Sequence, residues 1–164
     1  MPGEGNGMAD APARGFDRRE AARRDEAAAY VLDAQIGFLM RRAHQRHIAI
    51  FQKLMGEGGP TPTQFAAMSK LADGAEISQN QLGRLTAMDP ATIKGVIARL
   101  TERGLVERLA DPGDQRRVLI RLSEAGRAQM PELFAKARAI TEATLAPLSS
   151  EEAGALSALL ARLE

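Results

Sequence analysis

Between Thr61 and Ser123 the chain marks out its own elements at short intervals, and this punctuation restricts the fold more than any other feature. Thr61-Pro62-Thr63-Gln64 sets an N-cap, a proline where a missing N–H is harmless, and a capping-box partner in four consecutive residues. Ser78-Gln79-Asn80-Gln81 repeats the capping box, and Asp89-Pro90 caps and opens a third helix that Gly104 ends. Buried faces are expected from Phe65, Met68 and Leu71, then Leu82 and Leu85, then Ile93, Val96, Ile97 and Leu100. Residues 75–77 leave room for a very short strand. Past Gly104 the apolar period falls to two over residues 105–109 and 117–122, with turn formers dense over residues 110–115. These last segments predict a β-hairpin with a long polar tip.

The flanks read as helix. Leu32, Ile36, Leu39, Ala43, His47, Ile50 and Leu54 recur at spacings of three and four, so one long helix is expected from Arg18 or Asp25 to about Met55. Gly56-Glu57-Gly58-Gly59 ends it. That run is glycine-rich like a phosphate loop, but it lacks the Gly-Lys-Ser/Thr ending and a preceding strand, and reads as a linker. Ser123 caps a second long helix carrying Met130, Leu133, Phe134, Ala137, Ile140 and Leu145, which Pro131 should bend or restart. Ser149-x-x-Glu152 caps a last, leucine-rich one. With aromatic residues at only 4%, the core must come from aliphatic side chains and methionine, which suits helices. The organisation is therefore a loosely held leader over residues 1–24, a helical region over 25–56 and 124–164, and a compact unit over 61–123. The fold class is mainly α with a small β-hairpin wing.

Composition also excludes functions. Without cysteine there is no disulfide framework, thiolate metal site or thiol switch, which fits a cytoplasmic protein. No run of about 18 apolar residues is long enough for a membrane span. No catalytic triad, carboxylate pair or cofactor-binding pattern stands out, so neither an enzyme nor a cofactor is expected. Two capped helices, a turn and a basic hairpin make a winged helix-turn-helix, in which the helix from Asp89 would enter a major groove of double-stranded DNA. Opposite its apolar side lie Ala91, Thr92, Lys94, Gly95 and Arg99. Thr92 and Lys94 suit donation to base edges, Ala91 a thymine methyl, and Arg99 a phosphate. Ser78, Gln79 and Asn80 stand at a helix start, where free N–H groups favour phosphate. Asp114, Gln115, Arg116 and Arg117 put arginine at the hairpin tip, suited to a narrow minor groove, with Asp114 fixing its neighbour's geometry. Residues 84–121 hold eight Lys/Arg against five Asp/Glu in a chain of net charge +1.

The stretch from Leu82 to Gly126 resembles the MarR family of transcriptional regulators. The matching residues are Leu100, Gly104, Leu105, Arg108, Asp114, Arg116, Leu122 and Ser123. Gln115 departs from the pattern, since many members carry a basic residue there. The resemblance implies a homodimer with intertwined N- and C-terminal helices, a pseudo-palindromic operator, and repression relieved by a small effector. An effector cavity would take Met40 and Phe51 as apolar wall, His44 and His47 as lining, and Arg41 or Arg42 as partner for an aromatic or heteroaromatic carboxylate. The same segment also reads as a solvated basic stripe, and His44 with His47 as a sparse metal site. A winged-helix module that binds protein instead of DNA is the alternative for the whole chain.

Overall fold

The computed structural model describes residues 30–163, apart from the side chains of Gln115, Arg116 and Arg117. The expected leader lies outside the described residues. The described residues fall into two units, one up to Arg42 and one from Ala43. In the first, a 3₁₀ turn at Leu32–Ala34 precedes helix α1, Ile36–Met55, which runs on into the second. Of the long helix expected to end near Met55, the part over residues 18–29 lies outside the described residues, and between Tyr30 and Gln35 the described chain is not α-helical. Val31 and Gln35 are extended, with ψ of 105° and 130°, and Gln35 Nε2 donates to the Val31 carbonyl at 3.2 Å. A side-chain bond of this kind offers the backbone a local alternative to the helix, which periodicity does not register. Within this unit Arg42 pairs with Asp33 at 3.7 Å, and the Arg41 and Arg42 guanidinium groups lie over the Phe38 ring.

The second unit follows the punctuation closely. Helix α2, Pro62–Lys70, carries the complete Thr61–Gln64 capping box. Strand β1 is Ile77–Ser78, and α3 is Gln79–Leu85 with the Ser78 hydroxyl accepting from Gln81 N. Helix α4, Pro90–Glu102, is capped by Asp89. It ends in a Schellman motif: Gly104 has φ +67°, its N–H reaches Thr101 O, and Leu105 N reaches Leu100 O. The α3–α4 turn uses the same pair of bonds, Ala87 N to Arg84 O and Met88 N to Gly83 O, with Ala87 in the left-handed position at φ 51°.

Strands β2, Val106–Asp111, and β3, Asp114–Leu122, pair antiparallel, and β1 adds to the far edge of β3. The hairpin tip is shorter than expected. Only Pro112 and Gly113 separate the strands, and Asp111 Oδ1 accepts from Gly113 N at 2.8 Å, so the polar run 114–117 is strand backbone rather than loop. Helix α5 spans Glu124–Leu145 and α6 spans Ser150–Leu160. Of the bend or restart expected at Pro131, the restart does not occur, for α5 continues through it as one helix. The core gathers Phe51 and Met55 from α1, Met68 from α2, Ile77 from β1, Leu82 from α3, Ile93, Ile97 and Leu100 from α4, Val106 from β2, Ile120 and Leu122 from β3, and Ile140 from α5. Leu85 is not in it, being 46% exposed on the last residue of α3, where the chain turns away through Ala87.

Candidate nucleic-acid interface and aromatic row

Helix α4 divides as its sequence predicts. Ile93, Val96, Ile97 and Leu100 are buried, while Ala91, Thr92, Lys94 and Arg99 are exposed and Gly95 is half-buried with open space where a Cβ would stand. Asp89 organises the leading turn. Its Oδ1 accepts from both Ala91 N and Thr92 N at 2.9 Å, and the Thr92 hydroxyl donates to its Oδ2. The Thr92 hydroxyl, then the backbone N–H groups, hold the Asp89 carboxyl below the usual carboxylate range, so it stays charged. With its proton committed to Asp89, Thr92 offers a partner an acceptor and a methyl group, not the donor expected from sequence. At the start of α3, Ser78 and Gln79 are half-buried and Asn80 is exposed. Asp114 is exposed on β3, and the side chains of Gln115, Arg116 and Arg117 lie outside those described.

Among the described side chains, two of the cations counted between residues 84 and 121, Arg121 and Arg103, bond to protein. Arg121 lies between two carboxylates, at 3.2 Å from Glu76 and 3.0 Å from Glu107, and the hydrogen bond to Glu107 leads in raising its pKa. It ties β3 to β2 and to the residue just before β1. Arg103 donates to Gly58 O at 2.6 Å, Gly59 O at 3.5 Å and Gln64 Oε1 at 3.1 Å. A basic excess read along the chain therefore overstates the charge free to meet a polyanion.

The residues expected around an effector are divided between the two units. Met40, Arg41 and Arg42 are exposed in the first unit. In the second, His44 is exposed, whereas His47 is half-buried with Nδ1 3.0 Å from Thr144 Oγ1. Arg46, not singled out by sequence, donates to the Ala143 and Thr144 carbonyls near the end of α5. Phe51 is buried and belongs to a row of rings: His47 to Phe51 at 6.3 Å, Phe51 to Phe65 at 6.2 Å, and Phe65 to Phe134 at 6.3 Å. Beside its far end, Phe134, Ala137, Arg138, Thr141 and Glu142 line an open groove of about 360 Å³. Sequence reading placed Phe134 in the core and passed over Arg138. Their spacing of four, followed by a step of three to Thr141, was the available signal. Among the described residues no group of three or more His, Asp or Glu could hold a metal ion, and no helix is long and apolar enough to cross a membrane.

Residues 61–118, from the α2 cap into the wing, match the MarR family. The transcriptional repressor NicR of Pseudomonas putida is 39% identical over 134 residues, covering 82% of this chain and 85% of its own. The crystal structure of a probable transcriptional regulator from Pseudomonas aeruginosa superposes with a TM-score of 0.78 at 55% identity, over 82% of this chain and all of that one. BpsR of Bordetella bronchiseptica, whose DNA binding is regulated by 6-hydroxynicotinic acid, gives a TM-score of 0.78 at 39% identity, over 82% and 96% of the two chains. With that identity over that length, and with the winged helix-turn-helix built as described, the chain belongs to the MarR family and is a transcriptional regulator.

Proposed function

We propose that the protein is a homodimeric repressor that sits on a pseudo-palindromic operator and releases it when a heteroaromatic carboxylate binds. The observation that carries the DNA reading is α4, which exposes Ala91 and Thr92 on its capped first turn and Lys94 and Arg99 further along, all on the side away from the core. On this reading that turn enters the major groove, with Gly95 allowing close approach. Ser78, Gln79 and Asn80 take a phosphate, and Arg116 and Arg117 enter the minor groove, with Asp114 and Gln115 beside them. Repression is supported by the 39% identity to a repressor.

The effector class is supported by the regulation of BpsR by 6-hydroxynicotinic acid. In this chain Phe134 and Arg138 line one groove, with Glu142 also at it, and an aromatic ring and a guanidinium are the groups a planar ring acid needs. The test is fluorescence anisotropy with duplex DNA selected by the protein from a randomised library. Affinity should fall steeply with salt, and 6-hydroxynicotinic acid should release the complex. Binding that ignores salt would rule out the operator reading. Release by neither 6-hydroxynicotinic acid nor other ring carboxylates would rule out the effector.

A further inference from the structure

The glycine run after α1 has no role in the reading above, and its geometry gives it one. Gly56 and Gly58 are in the left-handed region, at φ +83° and +73°. A Cβ on Gly59 would lie 2.9 Å from Met55 O and 3.1 Å from Gly56 O, so no other residue fits without a shift. A phosphate loop aims its N–H groups at a ligand. This loop instead aims two successive carbonyls, those of Gly58 and Gly59, at the Arg103 guanidinium. The third acceptor is Gln64 Oε1, on a residue only 5% exposed, which also accepts from Thr61 N at 3.0 Å to complete the α2 capping box. A planar fork of donors meets three fixed acceptors, and a lysine could not reproduce that geometry.

Arg103 is the C-cap of α4, one residue before the Gly104 that ends the helix. We propose that the loop at residues 56–60, with Gln64, is a guanidinium cradle, and that Arg103 is a positioning residue. Seated there, it fixes the C-terminal end of the recognition helix against the end of α1 and the first turn of α2, and so sets the angle at which α4 meets DNA. Arg103 itself contacts no phosphate. The cradle is held in turn by α5, since Lys136 Nζ donates to Met55 O at 3.3 Å. This inference rests on α4 being the recognition helix.

The experiment measures affinity for the library-selected duplex across a salt series, with melting temperature, for the parent, Arg103→Gln, Arg103→Lys, Gly58→Ala and Gln64→Glu. Both Arg103 variants should bind about five- to tenfold more weakly, because lysine keeps the charge but not the fork. Their salt slope should equal the parent's, whereas loss of a phosphate contact lowers it by about one. Gly58→Ala, strained at φ +73°, should weaken binding in the same way with the arginine intact. Gln64→Glu keeps the capping box and gives the guanidinium a carboxylate, so it should fold and bind at least as well as the parent.

Rescue by lysine together with a reduced slope in Arg103→Gln would make Arg103 a phosphate contact and overturn the proposal while leaving the DNA reading intact. A lowered melting temperature with unchanged affinity of the folded variants would reduce it to a stability element. A loss of affinity in Gln64→Glu would mean the arginine is being drawn away from DNA, which also overturns it. Should the parent select no sequence at all, the recognition-helix reading falls and this one with it.

Discussion

Backbone geometry dictates residue identity at one position and is defied at another. At Gly126 a Cβ would lie 2.1 Å from the Leu105 carbonyl, because the first turn of α5 packs directly on the chain leaving α4. The same junction is tied by Ser123, whose hydroxyl donates to Gly104 O at 2.6 Å and accepts from Gly126 N at 3.0 Å. Gly126→Ala must push two backbones apart, and the expected loss is about 2–3 kcal/mol, seen as a clear drop in melting temperature. Ala87 is the opposite case. It holds φ 51° where a Schellman turn suits glycine, so Ala87→Gly should stabilise by about 0.5–1 kcal/mol. Calorimetry would show it, and operator affinity should stay unchanged because the turn keeps its hydrogen bonds.

At the scale of elements, the cap of α4 and the wing each make a distinct prediction. The folded Asp89 carboxyl has its pKa below the unfolded value. Its stabilisation is therefore full above the unfolded value and is lost as pH falls through the folded one, in the window below about pH 4. Asp89→Asn removes that proton linkage, so the acid side of the stability profile should become shallower in that window while the neutral region shifts evenly. A profile parallel to the parent's would contradict it. For the wing, Arg116→Ala should cost about 1–3 kcal/mol of DNA affinity without lowering the melting temperature. Asp114→Ala should weaken binding too, although it removes a negative charge near a polyanion. Tighter binding would show that Asp114 has no positioning role.

For the whole molecule the open question is what covers the apolar residues left at the surface. In the first unit Leu32, Ile36 and Leu39 are exposed, Ile36 by 69%, and in the second Leu156, Leu159, Leu160 and Leu163 are exposed along α6 and beyond it. Surfaces of this kind mark association sites, and the proposed homodimer is what would bury them. Leu156→Glu with Leu160→Glu, one turn apart on α6, should convert dimer to monomer in sedimentation and abolish operator binding at the same protein concentration. A folded monomer with full affinity would defeat the dimer proposal. Wild-type melting temperature should also rise with protein concentration, by mass action, if dimerisation stabilises the fold.

Every helix start between Thr61 and Ser149 was legible, because an N-cap needs one acceptor side chain and backbone N–H groups two or three residues on, and chain geometry alone brings them together. The division of α4 into buried and exposed residues was legible for the same local reason. Less was visible where a single dihedral or a distant partner decides. The extended Gln35 and the two-residue wing turn leave no trace in apolar periodicity. Arg103 and Arg121 look like free cations until their acceptors are known, and Gln64 stands 39 residues from Arg103, Glu76 45 from Arg121. The ring row draws on α1, α2 and α5, and Arg46 meets its acceptors 97 residues or more away. Sequence fixes which groups can pair over a few residues, since covalent geometry sets those distances. Which of many equivalent arginines and phenylalanines meet across the fold is settled only when the core packs and its close-packed volume leaves one arrangement.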